Sequence, residues 1–141
     1  MDSADFGRSL RGVGINLLVA DVARGAAFLT EVLGLDEIYL DPDIGVLRHA
    51  DHVVILHADH SYMDEGGTAN AMLARCRGAG VRGAGAELRL YGIDADAAEA
   101  RARARGDTVL AASGDTAHGL RECYLVDPDG YVWVPGAVIQ P

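Results

Sequence analysis

Apolar and polar positions alternate through Gly14-Ile-Asn-Leu-Leu-Val-Ala, and the run stops at Asp21. Successive side chains of a strand point to opposite faces, so this pattern predicts a strand over Val13–Ala20. Asp21 is suited to accept from the free amides of a helix's first turn. Ala26, Leu29 and Leu33 follow at helical spacing, and Gly34 supplies the stop. Shorter strands are expected at about Leu35–Leu40, Ile44–His49 and Val53–Ala58, divided by Asp-Pro-Asp and Ala-Asp turns. The plan then repeats. Glu87-Leu-Arg-Leu-Tyr-Gly-Ile-Asp94 predicts a strand over Glu87–Ile93. A helix capped by Asp94 or Asp96 runs to about Arg105 and Gly106, before strands near Thr108–Ala112, Arg121–Val126 and Tyr131–Val134.

Each unit reads βαβββ. The expected fold class is therefore α+β, with two such modules forming a curled eight-strand sheet around a central cup. One domain spans 12–135, with modules at 12–60 and 86–135. Periodicity fails from Ser61 to Ala86, where glycine, alanine and arginine dominate. Residues 61–85 read as a mobile linker with one short helix near Ala69–Arg77, and residues 1–11 as a flexible polar segment.

Composition narrows the function. The chain has 141 residues, half of them apolar, enough for one domain with a real core. A formal net charge of −9 argues against nucleic acid, whose phosphates need clustered cations, and favours a cationic ligand drawn in by the summed field. No run is long enough to span a bilayer and no leader precedes the first strand, so a soluble, cytoplasmic protein is expected. Cys76 and Cys123 are too few for a disulfide framework or thiolate zinc site. Gly78, Gly80, Gly83 and Gly85 do not join a strand to a helix and form no phosphate loop. No Ser or Cys sits in a nucleophile motif.

Two motifs point to a family. Val19-Ala-Asp21 followed by Phe28 and Val32-Leu33-Gly34 resembles the first-helix signature of the vicinal oxygen chelate superfamily of glyoxalases, extradiol dioxygenases, and fosfomycin- and bleomycin-resistance proteins. Gly119-Leu-Arg121 through Asp127-Pro-Asp-Gly130-Tyr-Val-Trp133 resembles its closing hairpin, and Glu87-Leu-Arg-Leu-Tyr is similar to a strand of the bleomycin-resistance branch. Enzymes of this superfamily hold a divalent metal with His and Glu side chains. The resemblance carries those positions onto Gly14, Ile55, Glu87 and Val134. One carboxylate among glycine and hydrocarbon cannot satisfy a dication, so no metal and no cofactor are expected.

Alternation places Glu87, Arg89 and Tyr91 on one strand face, with the first two close enough to pair. A three-residue loop closed by Gly130 sets Tyr124 opposite Val134 and Glu122 opposite Gly136, all toward the cup, with Trp133 in the core. Asn16 and Ile55, with His57 and Asp59 at the parity of Ile55, complete the candidate ligand-binding set. His49, His52, His57 and His60 cluster in sequence, but strand parity keeps three of them from meeting at one ion. His118 reads as a loop contact or as inert.

The expected function is a metal-free binding protein of the bleomycin-resistance type, sequestering a drug-sized, aromatic, cationic natural product as a homodimer, either plain or strand-exchanged. The alternative is a metal-independent enzyme acting on a small biosynthetic intermediate, with Glu87 as general base and His57 or Tyr124 as proton donor. A metal-dependent enzyme and a purely structural module are the remaining classes.

Overall fold

Two aspartates start the two long helices in the same way. Asp21 accepts from the Arg24 amide at 2.8 Å and Asp94 from the Ala97 amide at 3.1 Å, each satisfying an amide that the helix itself leaves free. The structure, a computed structural model, describes residues 2–78 and 80–140. Its elements in order are α1 (Ser3–Ser9), β1 (Ile15–Val19), α2 (Val22–Glu31), β2 (Asp36–Leu40), β3 (Ile44–His49) and β4 (His52–Ala58). A 3-10 turn (Asp59–Tyr62) and α3 (Ala71–Gly78) lead to β5 (Leu88–Tyr91), α4 (Ala95–Arg105), β6 (Thr108–Asp115), β7 (Leu120–Val126) and β8 (Val132–Val138).

The fold is α+β with two βαβββ modules, as the duplication predicts. Strand order is β1-β4-β3-β2 in one sheet and β5-β8-β7-β6 in the other. The first strand of each module runs parallel to the last, and the remaining ladders are antiparallel. Among the described residues the eight strands form two separate four-stranded sheets, not closed into one.

Each helix covers one face of its own sheet. From α2, Val22, Ala26, Phe28 and Leu29 are buried; from α4, only Ala95, Ala98 and Ala102. These join Leu47, Val54 and Leu56 of the first sheet and Cys123, Leu125 and Trp133 of the second in a single hydrophobic cluster. Space is tight in module one, where a Cβ on Gly45 would stand 3.1 Å from Val22 Cγ1. The modules therefore share one core through their helix-bearing faces. Val46 and Val134 lie on the opposite, open faces and stand outside it.

Two expectations change and a third is narrowed. The N-terminal segment forms α1, capped by Asp2 at 2.7 Å, yet none of its residues is buried. The linker is anchored rather than loose. The Arg82 guanidinium donates to both Asp59 carboxylate oxygens at 2.8 and 2.6 Å and to the Leu18 carbonyl at 2.8 Å. That same carbonyl accepts from the Tyr131 hydroxyl at 2.8 Å, tying module two's hairpin to module one's first strand. Gly83 permits this approach: its φ is +67°, and a Cβ there would stand 2.6 Å from the Tyr131 ring. Asp94, not Asp96, caps α4, because Asp96 is turned outward to Arg121.

Candidate functional site

The open faces of the two sheets carry different chemistry. On the first, Asn16 pairs in register with Ile55, and His57 lies between Leu18 and Ile44. The Asn16 side-chain amide donates to the Tyr62 hydroxyl at 2.8 Å, and its oxygen lies 2.6 Å from His57 Nδ1. The His57 and Tyr62 rings are tilted at 45° with centroids 5.3 Å apart. Partial burial lowers the His57 pKa below the usual imidazole range, because desolvation disfavours the charged ring. The signal that could have found Tyr62 is weak, since it lies beyond the strand in a stretch without periodicity. Asp59 shares the parity of Ile55 but falls in the 3-10 turn, where Arg82 occupies its carboxylate, so it does not join this face.

The open face of the second sheet is charged. Arg89 donates to Glu87 at 2.9 Å and also to Glu122, whose side chain is 9% exposed. His118 Nε2 stands 3.8 Å from the Glu122 carboxylate. Glu122 faces Gly136 across the β7–β8 ladder, the register expected from a three-residue loop. Val134 is the partner of Arg89, and Tyr91 pairs with Gly136. Burial works to lower the Arg89 pKa, but Glu87, Tyr91, Tyr124 and Glu122 together hold it above the ordinary arginine value. The Glu87 carboxylate raises the Tyr124 phenol, so that hydroxyl keeps its proton at neutral pH. Trp133 lies in the core, its indole donating at 2.9 Å to Asp127.

No hydrogen bond or ion pair among the described residues links Asn16, Ile55 or His57 to Glu87, Arg89, Glu122 or Tyr124. A cavity of about 880 Å³ borders the first face alone, between α1 and the strand ends, lined by Phe6, Leu10, Gly14, Arg48, Val53 and Ile55 among others. The remaining histidines scatter: His49 meets the Tyr91 carbonyl at 2.7 Å, and His60 pairs with Asp43.

The positions that correspond to metal ligands offer little to an ion. Gly14 has no side chain, Ile55 and Val134 are hydrocarbon, and the Glu87 carboxylate is engaged by Arg89. Among the described residues, no group of three or more His, Cys, Asp or Glu side chains converges as a metal site would require. The donor set does not fit the divalent ion that enzymes of the resembled superfamily carry.

A duplicated βαβββ unit with an open sheet face on each copy defines the class. The chain belongs to the Glyoxalase/Bleomycin resistance protein/Dioxygenase superfamily, whose family model matches residues 13–134. Solved structures agree in fold. A glyoxalase-related enzyme from Fulvimarina pelagi is 21% identical with a TM-score of 0.68, covering 91% of this chain and 88% of that one. A glyoxalase/bleomycin resistance protein/dioxygenase family enzyme from Burkholderia phytofirmans PsJN is 20% identical at TM-score 0.68, covering 89% and 97%. TioX from Micromonospora sp. ML1 is 17% identical at TM-score 0.63, covering 93% and 98%. Among curated proteins, none matches the chain in sequence. No helix among the described residues is long and apolar enough to cross a membrane.

Proposed function

We propose that the protein is a metal-free binding protein, acting in the cytoplasm, that sequesters a drug-sized aromatic and cationic natural product. The observation that carries this reading is the second open face, where Glu87 and Glu122 share the single Arg89 guanidinium. Two carboxylates against one guanidinium leave a net negative charge, and Tyr91 and Tyr124 supply aromatic surface beside it. A ligand cation would gain a charge-assisted hydrogen bond there, and a stacked ring roughly 0.5–1.5 kcal/mol beyond its area burial.

Under this reading a second copy completes the cup. The modules share one core through their helix-bearing faces, and their open-face site residues exchange no hydrogen bond or ion pair among the described residues. β1 pairs only with β4 and β5 only with β8, so each keeps an edge for a partner strand. The functional unit is then a homodimer, strand-exchanged across those edges.

The test is calorimetric titration with a panel of drug-sized aromatic natural products, cationic and neutral, with and without EDTA, alongside light scattering. Saturable binding of a cationic member by a dimer, unchanged by EDTA and weakened by Glu122→Gln, is expected. Silence across the panel, or binding that EDTA abolishes, would overturn the reading. The alternative of a metal-independent enzyme draws on Tyr124, whose phenol stays protonated beside Glu87 and could donate. Product formation that collapses on Glu87→Gln but survives EDTA would select it.

A further inference from the structure

The first open face holds three polar side chains that satisfy one another and leave two groups unspent. An amide oxygen only accepts, so the 2.6 Å contact between Asn16 Oδ1 and His57 Nδ1 places the ring proton on Nδ1. Nε2 then carries a lone pair, and no protein group among the described residues bonds to it. The Asn16 amide nitrogen spends a proton on the Tyr62 oxygen at 2.8 Å, which leaves the Tyr62 hydroxyl hydrogen uncommitted. The orientation is set from two sides: β1 brings Asn16 and the 3-10 turn brings Tyr62.

The surroundings keep the ring neutral. Its neighbours across the ladders are Leu18 and Ile44, both apolar. Asp59, the acidic residue two positions on, is held by Arg82, and Asp43 is paired with His60. No free carboxylate competes for Nε2, and partial burial disfavours the imidazolium.

From this we infer that Asn16, His57 and Tyr62 form a recognition element for a hydroxyl-bearing ligand, a phenol or enol whose O–H donates to His57 Nε2 while its oxygen accepts from Tyr62. The element rests on the binding reading above and adds to it. The second face selects for positive charge, and the first selects for a neutral hydroxyl donor, so the preferred guest is a phenolic cation. His57 contacts the ligand; Asn16 is a positioning residue that acts by fixing which ring nitrogen bears the proton.

The experiment is long-range 1H–15N correlation NMR of the histidine side chains in the full chain, with His57 assigned by its loss in His57→Gln. The free protein is expected to show His57 with its proton on Nδ1, and Asn16→Ala to release that preference. 4-Methylphenol is then added, and 4-methylanisole separately. The phenol is expected to shift the His57 Nε2 resonance and to bind about tenfold more tightly than the ether, the discrimination that one hydrogen bond supplies. An Nε2-protonated ring in the free protein would overturn the proposal, and so would equal responses to phenol and ether. If the tautomer and the phenol preference hold while the panel of cationic aromatics fails to bind, the sequestration reading falls and this element stands.

Discussion

The two modules share a topology but fill it with opposite side-chain choices. In the first, α2 presents Val22, Phe28 and Leu29, and the sheet gives way with Gly45 beneath Val22. In the second, α4 presents only alanines, and the sheet supplies the bulk as Trp133 and Leu125. Side-chain bulk is traded between helix and sheet, which is one way a duplicated unit diverges and keeps a filled core. The open faces diverged as well: one carries a neutral hydrogen-bonded trio, the other a charged cluster.

If bulk does reside in the sheet of module two, Trp133→Ala should cost about 3–5 kcal/mol. The upper end is expected, because the substitution also removes the indole donor to Asp127, whose carboxyl burial already pushes above the usual carboxylate range. Urea unfolding of the variant measures this, and a loss below about 1 kcal/mol would mean that Trp133 does not carry the packing. The converse change, Ala98→Leu, should overfill the same interface at a cost of about 1–3 kcal/mol, where an exposed position of α4 such as Ala100 would tolerate leucine. Thermal melts of the two leucine variants side by side would expose a mistaken helix face.

The caps test sameness rather than difference. Asp21→Ala and Asp94→Ala should each cost about 1 kcal/mol, since both aspartates bond the third amide of their helices. A marked inequality in Tm would show that one helix is held by its tertiary contacts alone. The smallest effect at neutral pH belongs to Cys123. Burial pushes its thiol up to about 11 from an ordinary 9.0, so its contribution is fully present below pH 9 and fades as pH rises toward 11. Stability of the wild type should fall across that window more steeply than that of Cys123→Ala, and parallel curves would contradict the burial of the thiol in α4's shadow.

How much of this was legible beforehand follows the physics of range. Strand alternation and aspartate caps act within a few residues, so the βαβββ repeat and the Asp127–Tyr131 hairpin could be read from local pattern. The pairing of Glu122 with Gly136 followed from loop length alone. The relation between modules could not be read, because it depends on Arg82 and Tyr131 converging on one carbonyl of a strand far away in sequence. Tyr62 escaped for a similar reason: its partner Asn16 is 46 residues away, and nothing in its own neighbourhood marks it. The alanine-rich α4 also hid its buried side, since its apolar stripe consists of the smallest apolar side chain and is interrupted by arginine.

The junction at Leu18 has an evolutionary corollary. One backbone oxygen, saturated by a guanidinium and a phenol, ties the halves together beside the Ala20–Asp129 and Arg101–Val32 bonds. Because these ties run largely through backbone atoms, substitutions can accumulate on one open face without disturbing the other. New surface chemistry could then arise on one half of the molecule at a time.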